Sequence, residues 1–125
     1  MIYKMESTYF THEELKCKCG CNTADMDSVF MEKLDMLRDR YSKPIVLNSA
    51  YRCMEHNDRV GGVADSPHTK GNAVDIKCNG KEAHRLLRVI FLMRFSGVGI
   101  SQKGKNRFIH IDDKLESPRP NCWSY

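Results

Sequence analysis

The segment Asp65-Ser66-Pro67-His68-Thr69-Lys70-Gly71-Asn72-Ala73-Val74-Asp75-Ile76 sets a histidine and an aspartate seven positions apart, with a glycine between them. Neutral imidazole and carboxylate are ligands that a borderline metal such as zinc accepts, and a catalytic zinc keeps three protein ligands plus one open position. Gly71 offers the permissive backbone that a chain needs to wrap around an ion. Residues 73–77 then alternate, with Ala73 and Asp75 on one face and Val74 and Ile76 on the other. That is the pattern of a half-buried strand presenting Asp75 to a cleft. A carboxylate facing inward from such a strand needs a partner, either in a buried ion pair or as a metal ligand.

A third ligand is on offer in Phe108-Ile109-His110-Ile111-Asp112. Strand alternation puts Phe108, His110 and Asp112 on one face, Ile109 and Ile111 on the other, and turns Asp113 away. Val98-Gly99-Ile100 reads as the partner strand, joined through a hairpin turn that contains Lys103, Gly104 and Lys105. Upstream, Ile45-Val46-Leu47-Asn48 is short, branched and apolar, and predicts a buried strand. It leads into Ser49-Ala50-Tyr51-Arg52, a turn from which a fold could bring Arg52 over the metal.

Helices account for most of the remainder. Thr11 and Glu14 form a capping box for a short helix that stops near Gly20. Met26, Val29, Phe30, Leu34, Leu37 and Tyr41 recur at helical spacing; Asp25 or Asp27 can cap this helix, and Pro44 ends it near residue 43. Residues 81–95 predict a second long helix that carries Ala83, Leu86, Leu87, Ile90 and Phe91 inward and ends at Gly97. The apolar stripes read as core. His12, His56 and His84 read as surface or structural residues. Residues 53–60 allow one or two helical turns, and Trp123, beyond Pro118 and Pro120, is expected to dock on the core.

A chain of 125 residues predicts a single domain, 1–125. A net charge of +4 without a dense basic run is too weak to argue for nucleic acid, and suits loose attraction to an anionic polymer such as a cell wall. There is no apolar run long enough to span a bilayer, so no membrane insertion is expected. Residues 1–6 lack a leader-like apolar run, which predicts cytoplasmic synthesis, with release by other means if the substrate lies outside. The six cysteines include the cluster Cys17-Lys18-Cys19-Gly20-Cys21. One residue between neighbours is not the two-to-four-residue spacing usual for paired zinc ligands. Free or structural thiols are the favoured reading, beside a disulfide or a second metal site.

Ser66-x-His68-x-x-Gly71-x-Ala73-x-Asp75 resembles the signature of the zinc D-alanyl-D-alanine carboxypeptidase family. That family includes murein peptidases and phage endolysins and shares its fold with the Hedgehog signalling domain. Ser49-Ala50-Tyr51-Arg52-Cys53, His56-Asn57 and Val60-Gly61-Gly62 resemble its preceding motif, and residues 108–112 its third-ligand strand. Tyr9-Phe10-Thr11 with the cysteine cluster, and the tail from Arg119-Pro120 to Trp123, resemble a compact subgroup. The resemblance implies an α+β fold in which a small antiparallel sheet is flanked by helices and zinc lies in a cleft on the sheet. It implies that His68, Asp75 and His110 bind Zn2+ and that Arg52 holds a substrate carboxylate. Ser66 would hydrogen-bond substrate or the ligand loop, or cap that loop.

One departure stands out. Many members place an acid three residues before the third ligand as general base, and here that residue is Arg107. Asp112 is then the candidate base or water-orienting acid, or else a carboxylate that orients a ligand imidazole. The implied activity is hydrolysis of amide bonds next to D-amino acids in peptidoglycan stem peptides or cross-links. Such an enzyme is expected to act as a monomer on the cell wall after release, from phage or bacterium, as carboxypeptidase or endopeptidase. The alternative of a different class is a binding domain that keeps the zinc without catalysis, which Arg107 supports. A cysteine-cluster protein that binds nucleic acid is a weaker third reading, because exposed stacking aromatics and a basic face are missing.

Overall fold

A computed structural model describes residues 7–125; residues 1–6, where the sequence shows no leader-like run, lie outside them. The elements follow in the order α1 (His12–Leu15), α2 (Ser28–Tyr41), β1 (Val46–Ser49), α3 (Met54–Arg59), a 3-10 turn (Pro67–Lys70), β2 (Ala73–Lys77), α4 (Gly80–Leu92), β3 (Gly97–Ser101), β4 (Phe108–Asp112) and β5 (Asn121–Ser124). The strands form one sheet in the order β1-β2-β4-β3-β5. Three of its pairings are antiparallel, and β5 runs parallel to β3. The fold is therefore α+β as expected, but with a mixed sheet. The chain leaves β4 at Asp112, opposite Gly97, and re-enters the sheet at Asn121, also opposite Gly97, so the tail has to run in the direction of β3.

One face of the sheet carries Val74, Ile76, Val98, Ile109 and Ile111, packed with Phe30, Leu34 and Leu37 of α2 and Leu86 and Ile90 of α4. The strict alternation in β2 and β4 produces this: every second residue is branched and apolar and leaves water together with its neighbours. The residues between them, Asp75, His110 and Asp112, fall on the opposite face. Among the described residues, no helix is long and apolar enough to cross a membrane.

The local expectations hold with specific exceptions. The capping box at Thr11 forms, but α1 ends at Leu15, well before Gly20, because residues 16–22 fold into a tight turn. Asp27 caps α2 by accepting from the Phe30 amide at 2.9 Å. Val29 falls outside the buried arc of α2 and is 70% exposed, while Met31 takes its place in the core. β1 is an edge strand, which leaves Val46 exposed where full burial was expected. Helix α4 stops at Leu92 and leaves Phe91 exposed where it was expected inward; Arg94 takes the left-handed turn that was expected of Gly97, and Gly97 opens β3.

Gly71 seats the 3-10 turn against the start of α2. Its φ is +74°, its carbonyl accepts from the Asp27 amide at 2.8 Å, and a Cβ there would lie 2.0 Å from the backbone oxygen of Asp25. Gly71→Ala is expected to destabilise the protein by at least about 1–2 kcal/mol from the left-handed backbone alone, with the clash adding to it. A urea midpoint that falls while the m-value stays constant is the readout.

Candidate metal centre and cleft

The 3-10 turn carries His68, and two contacts fix how its ring is presented. Ser66 caps the turn, its Oγ accepting from the His68 amide at 3.2 Å. The ring Nδ1 lies 2.7 Å from the Ala50 carbonyl, which can only accept, so Nδ1 carries the proton. The Nε2 lone pair then points away from that carbonyl. This atom is buried, has no hydrogen-bond partner and sits 3.3 Å from Asp75 Oδ1. An orphaned imidazole nitrogen beside a carboxylate is what a metal site looks like when its ligands are prepared for an ion.

Asp75 and His110 are directly opposite in the β2–β4 ladder. His110 Nδ1 lies 2.8 Å from Asp75 Oδ1, and its Nε2 lies 2.7 Å from Asp112 Oδ2. One ligand atom from each of His68, Asp75 and His110 lies within 4.8 Å of the others. Two imidazole nitrogens and a carboxylate oxygen form a donor set that suits zinc, and the outward nitrogen of each ring is tied down by its own acceptor.

Of the two roles left open for Asp112, its surroundings match the carboxylate that orients a ligand imidazole. It is fully buried and does not line the cleft. Arg119 grips it with two donors, Nε to Oδ1 at 3.0 Å and Nη2 to Oδ2 at 2.8 Å. The Lys114 amide also donates to Oδ1, at 3.1 Å. These bonds and the His110 ring occupy its oxygens. Burial by itself pushes the Asp112 carboxyl up, but the bonds from His110 and Arg119 reverse this and hold it well below the ordinary range. Asp75 follows the same pattern, with burial opposed and outweighed by His110 and His68. His110 is the counterpart: burial depresses its pKa, and Asp112 and Asp75 together raise it above the usual value.

The three candidate ligands lie in a cleft of about 420 Å³ whose walls include Arg52, Ser66, Arg119, Trp123 and Tyr125. Arg52 is held by its Nη1, which donates to Asn57 Oδ1 at 3.1 Å, while its Nε is buried without a partner. Gly62 makes room for this pair, since a Cβ there would lie 2.1 Å from Asn57 Oδ1. Ser66 lines the cleft, but its oxygen already serves the His68 amide, so its first role is to cap the ligand loop. Arg107 is exposed, bonded to the Gly104 carbonyl, and is not part of the cleft wall. Asp113 faces away, as expected, pairing with Lys33. His84 lies on the exposed face of α4.

Sequence reasoning missed the part of the site that the tail builds. Trp123 packs against the His110 ring at 5.4 Å between centroids rather than on the core, and Arg119 lies over the Trp123 ring at 4.7 Å. Gly97 and Gly99 leave the face of β3 bare to admit them. A Cβ on Gly97 would lie 2.4 Å from Asp112 Oδ1, and one on Gly99 would lie 2.6 Å from Trp123 Nε1. Glycines at alternate strand positions were a readable signal of a close approach.

A family model described as Peptidase M15 matches residues 8–112. The chain belongs to the peptidase M15 family. It is also similar to the peptidoglycan L,D-endopeptidase MepK of Escherichia coli K12, 37% identical over 75 residues, covering 56% of this chain and 40% of the relative. The MepK proteins of Escherichia coli O157:H7 and Shigella flexneri match to the same extent. The chain thus spans about two fifths of the length of the curated relatives it matches. M15 peptidases are zinc-dependent, and this M15 chain has a buried His-Asp-His group of the kind that binds such an ion.

The carboxyl of Asp112 is held below its unfolded value, so the stability it adds is present above about pH 4 and lost as the pH falls further. His110 is held above its own, so its share is fully present below about pH 6.5 and lost as the pH rises through the raised value. In chelator-treated protein, Asp112→Asn is therefore expected to cost the most, about 3–5 kcal/mol, between about pH 4 and 6.5. The difference in denaturant midpoint from wild type should shrink on either side of that window.

Proposed function

We propose that this M15 chain is a zinc peptidase that hydrolyses amide bonds next to D-amino acids in peptidoglycan stem peptides or cross-links. The observation that carries the reading is the buried, partnerless Nε2 of His68, aimed at Asp75 and His110 in an open cleft. His68, Asp75 and His110 would hold the ion. Zinc in such a site supplies Lewis acidity toward an amide carbonyl and lowers the pKa of water.

The chain's own residues supply orientation. Ala50 and Asp112 hold the two rings so that the nitrogens facing Asp75 stay available. Arg119 keeps Asp112 charged, so that Asp112 goes on accepting the His110 proton rather than competing for one from the cleft. Arg52 presents a planar guanidinium with an unused buried Nε to whatever enters, and this suits a carboxylate. Stem peptides carry such groups at D-residue termini and on side chains. The similarity to peptidoglycan L,D-endopeptidases supports an internal bond joining an L- and a D-residue over a terminal one.

Purified protein incubated with peptidoglycan should release new amines, and a chelator should abolish the release. Mass analysis of the muropeptides then identifies the bond. His68→Ala, Asp75→Ala and His110→Ala should each lose metal and activity together. Metal retained with no release from any wall type would instead make the chain a binding module. Arg52→Ala should lower kcat/KM about 10- to 100-fold, mostly through KM, as expected for one lost charge-assisted contact. Arg52→Lys should not restore it, since an ammonium lacks the paired planar donors.

A further inference from the structure

Away from the cleft, four cysteines converge. Cys17, Cys19 and Cys21 come from the turn that follows α1, and Cys53 caps α3. The single-residue spacing between neighbours is not that of paired zinc ligands, and free or structural thiols were the favoured reading. The segment is not extended. Gly20 at φ +96° and Asn22 at φ +59° fold it back on itself, and the Cys17 amide closes the turn onto the Thr23 carbonyl at 2.8 Å. The three thiols then face inward toward Cys53.

The spacing of the sulfurs is informative. Cys17 and Cys19 Sγ are 3.5 Å apart, Cys17 and Cys53 3.7 Å, and Cys19 and Cys53 3.6 Å. The sulfur of Cys21 lies within 4.8 Å of the others. A disulfide needs about 2.05 Å. A tetrahedral zinc with Zn–S bonds of about 2.3 Å has sulfur–sulfur edges of about 3.8 Å, and three of the edges sit close to that value. Backbone amides point at two of the sulfurs, Cys53 N at Cys17 Sγ and His56 N at Cys53 Sγ, both at 3.4 Å. Both sulfurs are thus oriented by main-chain donors, as outer-shell partners orient the ligands of a metal. Cys17 is wholly buried, and Cys21 closes the group at the surface.

We propose that Cys17, Cys19, Cys21 and Cys53 form a closed tetrathiolate site for a structural zinc ion, separate from the cleft, which pins the turn after α1 to the segment that carries Arg52. Each thiol gives up its proton to solvent as the ion binds. The link to Arg52 is direct. Cys53 is its neighbour in sequence, the Tyr51 amide bonds to the Leu15 carbonyl at 3.1 Å, and the Arg52 amide bonds to the His68 carbonyl at 3.2 Å. An ion held by these sulfurs would thus brace one wall of the cleft from behind. The inference does not depend on the catalytic reading.

The test is made on the full chain, purified under reducing conditions with zinc present. Elemental analysis should find about two zinc ions per chain in wild type, about one in the His68→Ala, His110→Ala double variant, and about one in Cys17→Ser, Cys53→Ser. With cobalt in place of zinc, the histidine double variant should keep intense thiolate-to-metal charge-transfer absorption, and the cysteine double variant should lose it. Should the cysteine double variant not fold, two other measurements decide. Cys21→Ser, at the exposed corner, should weaken the charge-transfer band, and a mercurial reagent added to wild type should release about one zinc and leave about one behind. A histidine double variant without metal or charge-transfer absorption overturns the proposal, as does mass analysis showing disulfides among these four cysteines in zinc-loaded protein. A sulfur-bound zinc in a protein that never cuts peptidoglycan would uphold this site while removing the catalytic reading.

Discussion

The pairing of Asp75 with His110 across β2 and β4 is the constraint from which the candidate centre follows. Residues directly opposite in an antiparallel ladder have their Cβ atoms about 4.5–5.5 Å apart, which is the separation two ligands of one ion require. A slip of one residue in either strand would turn that strand's ligand into the core. Val74, Ile76, Ile109 and Ile111, all essentially buried on the other face, prevent that slip. The hydrophobic packing of α2 and α4 therefore sets the chemistry of the opposite face without touching it.

Charge on that face is arranged in depth. Asp75 lines the cleft, and Asp112 stands one layer behind it, behind His110 and Arg119. A buried charge is tolerated when its oxygens are all engaged, and Asp112 meets that condition. The imidazole between the two acids is held in one orientation from both sides. His68 reaches the same result by a different route, with a main-chain carbonyl in place of a side chain. The cleft then needs little rearrangement to receive an ion, which favours preorganised binding.

The parts of this arrangement that were legible in the sequence are those governed by short periods. Alternation placed Asp75 and His110 on one face and the isoleucines on the other, and the 3.6-residue repeat located α2 and α4. Arg52 stood out by its place between two hydrophobic segments, and its role came from the family resemblance. What stayed hidden depends on contacts between distant segments. Nothing near Asn121 announces a strand parallel to β3, since the hydrogen bonds that define it come from residues 97–101. The role of Asp112 turns on Arg119, which approaches from the tail, and local alternation could only place it beside His110. The cysteine run was misjudged for a similar reason: spacing rules assume a backbone shape, and left-handed turns at Gly20 and Asn22 supply another.

The bare surface of β3 has a consequence for how this scaffold tolerates change. A strand that contributes no side chains to its own cleft leaves that region to be furnished by whatever segment lies across it, and here residues 119–125 furnish it. The ligand-bearing strands and the furnishing segment are held by different contacts. Trp123 and Tyr125 can therefore be exchanged for other shapes while the strand register that aligns the donors stays untouched. The shape of the cleft wall and the alignment of the donors are thereby largely decoupled, with Arg119 and Trp123 touching both.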